Sequence, residues 1–294
     1  MEIIKEGKDI IKICNEQNLT IYELITKYEI EKSGKTREEI RDHMAKCLEV
    51  MKCSVRKALD DNDNEVRGKI IGGQAKKFKE RYEKHKTACG KTIARAVSYA
   101  LSTMEVNASM GKIVAAPTAG SCGVIPAVLL SVRDTHGVDD EKLIDGLLAA
   151  SAIGLVIGKN ATLSGAEGGC QAEIGSASAM AAGATVAMLG GTVEMSFDAA
   201  AMALKNLMGL VCDPIAGLVE SPCSKRNGIG TANALICADM ALAGIQCVIP
   251  FDEVVIAMKR VGNQLPCELR ETALGGVAVT PTALEITKRI FGTE

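Results

Sequence analysis

Polar and apolar positions recur with helical spacing through the first third of the chain. Thr20-Ile21-Tyr22-Glu23 and Thr36-Arg37-Glu38-Glu39 each have the order of a capping box, in which hydroxyl and carboxylate satisfy each other's free backbone amides. After the second box, Ile40, Met44, Cys47, Leu48, Met51, Val55 and Leu59 repeat at three- and four-residue intervals. That stripe predicts one amphipathic helix running to about Leu59. Asp60-Asp61-Asn62-Asp63-Asn64 breaks it, and Gly72-Gly73 marks a further turn. From about Thr87 the texture shifts to Ala, Gly, Ser and Met with sparse charge. Helices are expected near 88–108, 123–134, 139–158, 171–189, 197–209, 229–246, 252–264 and 281–291. Ile113-Val114 and Val277-Ala278-Val279 are too short to build a sheet, and no long internal repeat is present. The pattern predicts an all-α chain of Ala/Gly-rich packed helices. Its charged helical part covers about 1–86 and its small-residue part about 87–294.

The twenty residues from Ile174 to Val193 carry no charge, but four Gly, two Ser and two Thr weaken any drive into a membrane. A buried helix is expected there. Aromatics are only 3% and Trp is absent, so the core must pack backbones closely through small side chains. A net charge of −2 gives no basic surface for nucleic acid or an anionic membrane.

Eleven cysteines, an odd number spread through 294 residues, do not make a secreted disulfide framework. The start, Met1 to Lys8, lacks the apolar run of a signal peptide. A reducing cytoplasm is the expectation. Cys14, Cys47, Cys53, Cys237 and Cys247 lie among apolar residues at helical spacing and read as small buried hydrophobes. Nothing positive favours Cys89 or Cys267. Cys170, Cys212 and Cys223 differ: Gly168-Gly169-Cys170, Cys212-Asp213-Pro214 and Pro222-Cys223-Ser224 are places where the chain bends. Each begins or ends a helix or loop, with polar neighbours in Glu167, Glu173, Asp213, Ser221 and Lys225. Helix N-termini and nearby cations favour thiolate, the metal-binding form. Three such thiols suggest a metal or iron–sulfur site with one ligand missing, and an open position permits Lewis-acid chemistry. Gly-flanked Cys122 competes with them. His43, His85 and His136 stand apart in sequence, which disfavours zinc and supplies no evident general base.

The loop Pro117-Thr118-Ala119-Gly120-Ser121-Cys122-Gly123 is made of small residues that leave backbone amides open. It reads either as an anion cradle or as a tight helix–helix turn. It is neither a P-loop nor a dinucleotide fingerprint.

Together, four stretches resemble the α subunit of the iron–sulfur L-serine dehydratases. They are Asn107-Ala108-Ser109-Met110-Gly111 running into Pro117–Ser121, then Ser164–Glu173, Cys212–Glu220 and Pro222–Asn227. The similarity covers nearly the whole of 1–294, which it marks as an alpha-type catalytic domain. The resemblance implies that Cys170, Cys212 and Cys223 hold a 4Fe-4S cluster whose fourth iron is free for L-serine. It implies that Thr118, Gly120 and Ser121 cradle the substrate carboxylate. Lys159, Asn160, Ser164 and Glu167 would orient the amino group or the cluster. It also implies a separate β subunit that carries the catalytic base, because the Ser-Ser-His-Thr stretch of that part is absent from this sequence. Some single-chain relatives end in a cysteine that caps the open iron, whereas this sequence ends Phe291-Gly292-Thr293-Glu294.

The implied reaction is dehydration and deamination of serine to pyruvate and ammonia. Rival readings are a cysteine desulfidase-type lyase with the same kind of cluster, a pyridoxal-phosphate dehydratase using Lys225, and a non-catalytic iron–sulfur sensor or scaffold.

Overall fold

The computed structural model describes residues 4–62 and 65–292. Met1-Glu2-Ile3, Asp63-Asn64 of the acidic break and the final Thr293-Glu294 lie outside the described residues. The chain forms α1 (Gly7–Gln17), α2 (Ile21–Ser33), α3 (Arg37–Lys57), α4 (Gln74–Lys84), α5 (Gly90–Ala108), α6 (Val124–His136) and α7 (Asp140–Asn160). A single turn, α8 (Gly165–Gly168), leads into a π-helical turn at Gln171–Gly175 and then α9 (Ser176–Met188). The remainder is α10 (Val193–Asn206), α11 (Cys223–Leu242), α12 (Phe251–Gln264) and α13 (Pro281–Phe291). Among the described residues there is no strand, only isolated bridges at Arg67–Gly72 and Cys212–Arg270. The chain is all-α, as its pattern predicts.

Both capping boxes close in both directions, Thr20 with Glu23 and Thr36 with Glu39. The stripe on α3 turns Ile40, Leu48, Met51 and Val55 inward. α9 is the uncharged segment, and it is buried on every side by α6, α7, α10 and α11. No helix among the described residues is long and apolar enough to cross a membrane. Small residues make this packing possible: a Cβ on Gly183 would stand 2.8 Å from the Ser196 carbonyl oxygen of α10.

Two helices start earlier than the pattern indicates. α10 begins at Val193 because the Thr192 hydroxyl accepts from the Met195 amide. α11 begins at Cys223 and runs straight through Gly228 and Gly230. Those glycines read as breakers in sequence, but they are contact points. A Cβ on Gly230 would lie 2.7 Å from Ile174 Cγ2, and one on Gly228 would lie 3.2 Å from Val97 Cγ1.

The charged N-terminal helices share the core of the rest, since Ile10, Ile13 and Leu24 pack in one cluster with Leu148, Ile153 and Met258. Arg41 on α3 bridges Asp145 and Glu141 of α7, and Lys52 reaches Asp140.

Candidate functional site

The three bend-placed cysteines are all buried, at 2, 4 and 7% exposure for Cys170, Cys212 and Cys223. Gly169, at φ 75°, supplies the left-handed bend that sets Cys170 at the head of the π-helical turn. Gln171 pins that turn from inside the fold. Its amide nitrogen donates to Gly168 and Met258 carbonyls at 2.9 and 3.1 Å, and its carbonyl accepts from the Gly209 amide at 2.9 Å. Cys212 is held by its backbone, donating to Leu269 O at 2.9 Å and accepting from the Glu271 amide at 2.8 Å. Cys223 is the first residue of α11, immediately after the cis Ser221-Pro222 peptide.

The electrostatics of the thiols differ from the helix-terminus expectation. A thiol–thiol hydrogen bond with Cys170, followed by burial, drives the Cys212 pKa far upward. Burial pushes Cys223 up to about 12. Burial outweighs the lowering effect of the Arg226 guanidinium on Cys223, so both thiols are held in their neutral form. The cation in place is Arg226, whose field reaches Cys170 and Cys223. It donates to Val211 O at 2.8 Å and pairs with Asp213 at 2.7 Å, and Asp213 in turn accepts from the Val277 amide at 2.7 Å. Among the described residues, no three His, Cys, Asp or Glu side chains close around a single metal ion. A cluster with several irons spreads its cysteine ligands more widely than one ion does.

Glu173 lies between the thiols and the small-residue loop. Only 7% exposed, it accepts from the Thr118 hydroxyl at 2.6 Å through Oε1 and lies 3.9 Å from Cys212 Sγ through Oε2. Burial raises its pKa, and the neighbouring Glu271 carboxylate adds to the rise. Two glycines make room for it. A Cβ on Gly120 or Gly165 would stand 2.7 or 2.6 Å from a Glu173 oxygen. The sequence offered Glu173 only as polar company for Cys170. No local sequence signal singles it out, because its partner Thr118 is 55 positions away.

The loop itself is one 3-10 turn, Ala119–Ser121, in which Thr118 and Ser121 cap each other, their hydroxyls 3.1 Å apart. Asn227 ties this loop to a cysteine. Its Nδ2 donates to Gly120 O at 2.8 Å and Cys223 O at 2.9 Å, while its Oδ1 accepts from the Gly123 amide at 3.0 Å. Asn227 belongs to the quoted Pro222–Asn227 motif, yet sequence alone gave it no role.

Thr118, Gly120, Ser121, Cys170, Cys212 and Cys223 are thus brought together. Ser164 lies at the N-terminus of α8, its carbonyl accepting from Gly168 at 2.9 Å, and Glu167 is exposed on that turn. Lys159 and Asn160 bond elsewhere. Lys159 Nζ donates to Ile4 O at 2.6 Å and Tyr28 Oη at 3.2 Å, and Asn160 Nδ2 donates to Lys5 O at 2.7 Å. Lys225 donates to Gln74 Oε1 at 2.7 Å, beside Glu105.

Of the cysteines expected to be buried, Cys14, Cys237 and Cys247 are. Two are corrections: Cys47 is only half-buried at the edge of the α3 stripe, and Cys53 falls outside that stripe and is exposed. Cys122 is fully buried, with its sulfur 3.7 Å from Met104 Sδ. It packs as a hydrophobe.

The chain matches the family model described as serine dehydratase alpha chain over residues 16–278. It is 50% identical over 284 residues to the L-serine dehydratase alpha chain of Peptoniphilus asaccharolyticus, covering 97% of both chains. It is 48% identical to a probable L-serine dehydratase alpha chain of Bacillus subtilis, covering 99% of this chain and 96% of that one. The L-serine dehydratase of Streptomyces coelicolor is 34% identical over 94% of this chain, which spans 60% of that longer protein.

Proposed function

Because the chain belongs to the serine dehydratase alpha chain family, we propose that it is the cluster-bearing subunit of an L-serine ammonia-lyase. The reaction converts L-serine to pyruvate and ammonia. The observation that supports this reading best is the grouping of three buried thiols around Glu173 and the Thr118–Ser121 loop. The donor set fits a 4Fe-4S cluster: three cysteines, few competing ligands, and Arg226 to offset the negative charge of bound thiolates. When bound, such a cluster supplies an iron without a protein ligand, a Lewis acid for the serine hydroxyl and carboxylate.

The residues of this chain hold and orient. Cys170, Cys212 and Cys223 are the cluster ligands. Thr118, Gly120 and Ser121 receive the substrate carboxylate, with Asn227 fixing the loop at a set distance from Cys223. Ser164 and Glu167 belong to the turn that delivers Cys170, and Lys159 and Asn160 fix the end of α7 that leads into it. A base removes the α-proton as hydroxide leaves the β-carbon. The aminoacrylate formed becomes an imine, which water hydrolyses to pyruvate and ammonia. Among the described residues no histidine bonds to this site, and the base is assigned to a separate β subunit. A cytoplasmic location follows from the need to keep thiols and cluster reduced.

The test is iron and acid-labile sulfide after strictly anaerobic purification, followed by pyruvate formation from L-serine with the β chain present. About four irons per chain are expected for a 4Fe-4S site. Iron near zero would overturn the cluster. Sulfide release from L-cysteine without pyruvate from serine would move the reading to the desulfidase class.

A further inference from the structure

We infer that Glu173 receives the α-ammonium group of the amino-acid substrate and thereby makes the site select amino acids over the corresponding hydroxy acids. This rests on the proposed serine site and deepens it.

An α-amino acid enters as a zwitterion. A buried ammonium without an acceptor carries a large desolvation cost, so a site that excludes water must present an anion or several carbonyls to it. The carboxylates around the thiols can be accounted for one by one. Asp213 is taken by Arg226 and the Val277 amide. Glu220 accepts from the amides of Lys69, Ile70 and Ile71 at 3.0, 2.7 and 3.0 Å. Glu105 accepts from the amides of Gln74 and Ala75 at 2.6 and 3.2 Å. Glu167 and Glu271 are exposed. Among the described residues, Glu173 is the buried carboxylate of the group that meets no cation and no backbone amide; its side-chain partners are the Thr118 hydroxyl and the Cys212 thiol.

Its location also suits the role. One oxygen faces the loop assigned to the substrate carboxylate and the other faces a cluster ligand, so the carboxyl lies between the two groups that would hold the substrate's other end and the cluster. Both walls beside it are glycine. At Gly120 and Gly165 any side chain would collide with the Glu173 oxygens. The loop hydroxyl that holds Glu173 here also lies within the Thr118–Ser121 pair, which couples recognition of the two charged ends of the substrate.

The experiment uses the anaerobically prepared α chain with its β partner and compares Glu173→Gln with wild type. Gln keeps the shape and the bond to Thr118 but removes the charge. The expected result is iron and sulfide content equal to wild type, a KM for L-serine raised by about a hundredfold and a smaller change in kcat. Glycerate, which carries hydroxyl in place of the ammonium, should then inhibit the variant relatively better than wild type. Glu173→Asp, which restores the charge one carbon short, should recover part of the preference. An unchanged serine KM with intact cluster overturns the inference, as does Asp behaving like Gln, or loss of iron in Glu173→Gln, which would make the residue a support for Cys212. If wild type itself holds no iron, the cluster reading fails separately. Glu173→Gln must then still abolish the thermal shift produced by L-serine, and retention of that shift overturns the inference.

Discussion

At the scale of single residues, burial separates ligands from fillers less well than partners do. Cys122 and Cys223 are both buried thiols pushed up to about 12 by desolvation, and both border one small apolar cluster. What differs is company: Cys122 meets a methionine sulfur, while Cys223 faces Arg226 and shares Asn227 with the substrate loop. Cys170→Ala, Cys212→Ala and Cys223→Ala should therefore each abolish iron retention. Cys122→Ala should keep the iron and lose about 1–2 kcal/mol of stability from the vacated space. Asn227→Ala removes three buried hydrogen bonds at once and should lower the unfolding free energy by about 3 kcal/mol, read from urea titrations of the metal-free protein. The bend residues beside the three cysteines are legible in sequence because Gly and Pro announce themselves. Glu173 is not, because its meaning comes from Thr118, 55 positions away in sequence.

Among elements, helix ends near glycine were the least legible feature. Sequence treats Gly228 and Gly230 as punctuation, yet both are contact points inside α11, and only tertiary packing reveals which role a glycine has. Gly262, inside the helix expected over 252–264, is a contact point of the same kind on α12. Its α-carbon faces Gly168, so a Cβ there would stand 2.9 Å from the Gly168 α-carbon and 3.2 Å from Gln171 Nε2. α12 thus buttresses the turn that carries Cys170, and the Gln171 bond to Met258 O joins the two. Gly262→Ala should push α12 off that turn, with a loss of about 1–3 kcal/mol from overpacking. Iron per chain should fall alongside the urea midpoint. A drop in stability with full iron occupancy would show that the turn does not transmit the displacement.

For the whole molecule, the N-terminal helices are fastened by partners remote in sequence. Asp252 of α12 accepts from the amides of Gly7 and Lys8 at 2.6 and 3.0 Å, and Lys159 and Asn160 of α7 hold the carbonyls of Ile4 and Lys5. Nothing in local periodicity reports such long-range pairs, whereas the capping boxes that shape the same helices could be read directly. This seam includes Cys14, a fully buried thiol on α1 whose pKa burial raises from 9.0 to about 12, with the Glu194 and Glu23 carboxylates adding to the rise. Cys237 on α11 is likewise raised, to about 11, chiefly by burial. In the unfolded chain these thiols lose their protons near pH 9, but in the fold they keep them longer. Between those values the folded state binds more protons, so stability falls as pH rises, by up to about 1.4 kcal/mol per pH unit for each thiol. The contribution is fully present below pH 9 and lost as pH climbs through 11 to 12. Tyr99, raised by burial and its bond to Asp134, pulls in the same direction, so wild type alone cannot apportion the effect. Urea midpoints at pH 8, 9 and 10 for wild type and Cys14→Ala separate them. The variant should start less stable, because a buried side chain is shortened, and then lose stability less steeply with pH. Parallel slopes would mean that the Cys14 thiol titrates in the fold as it does in water, and that the α1 seam admits solvent.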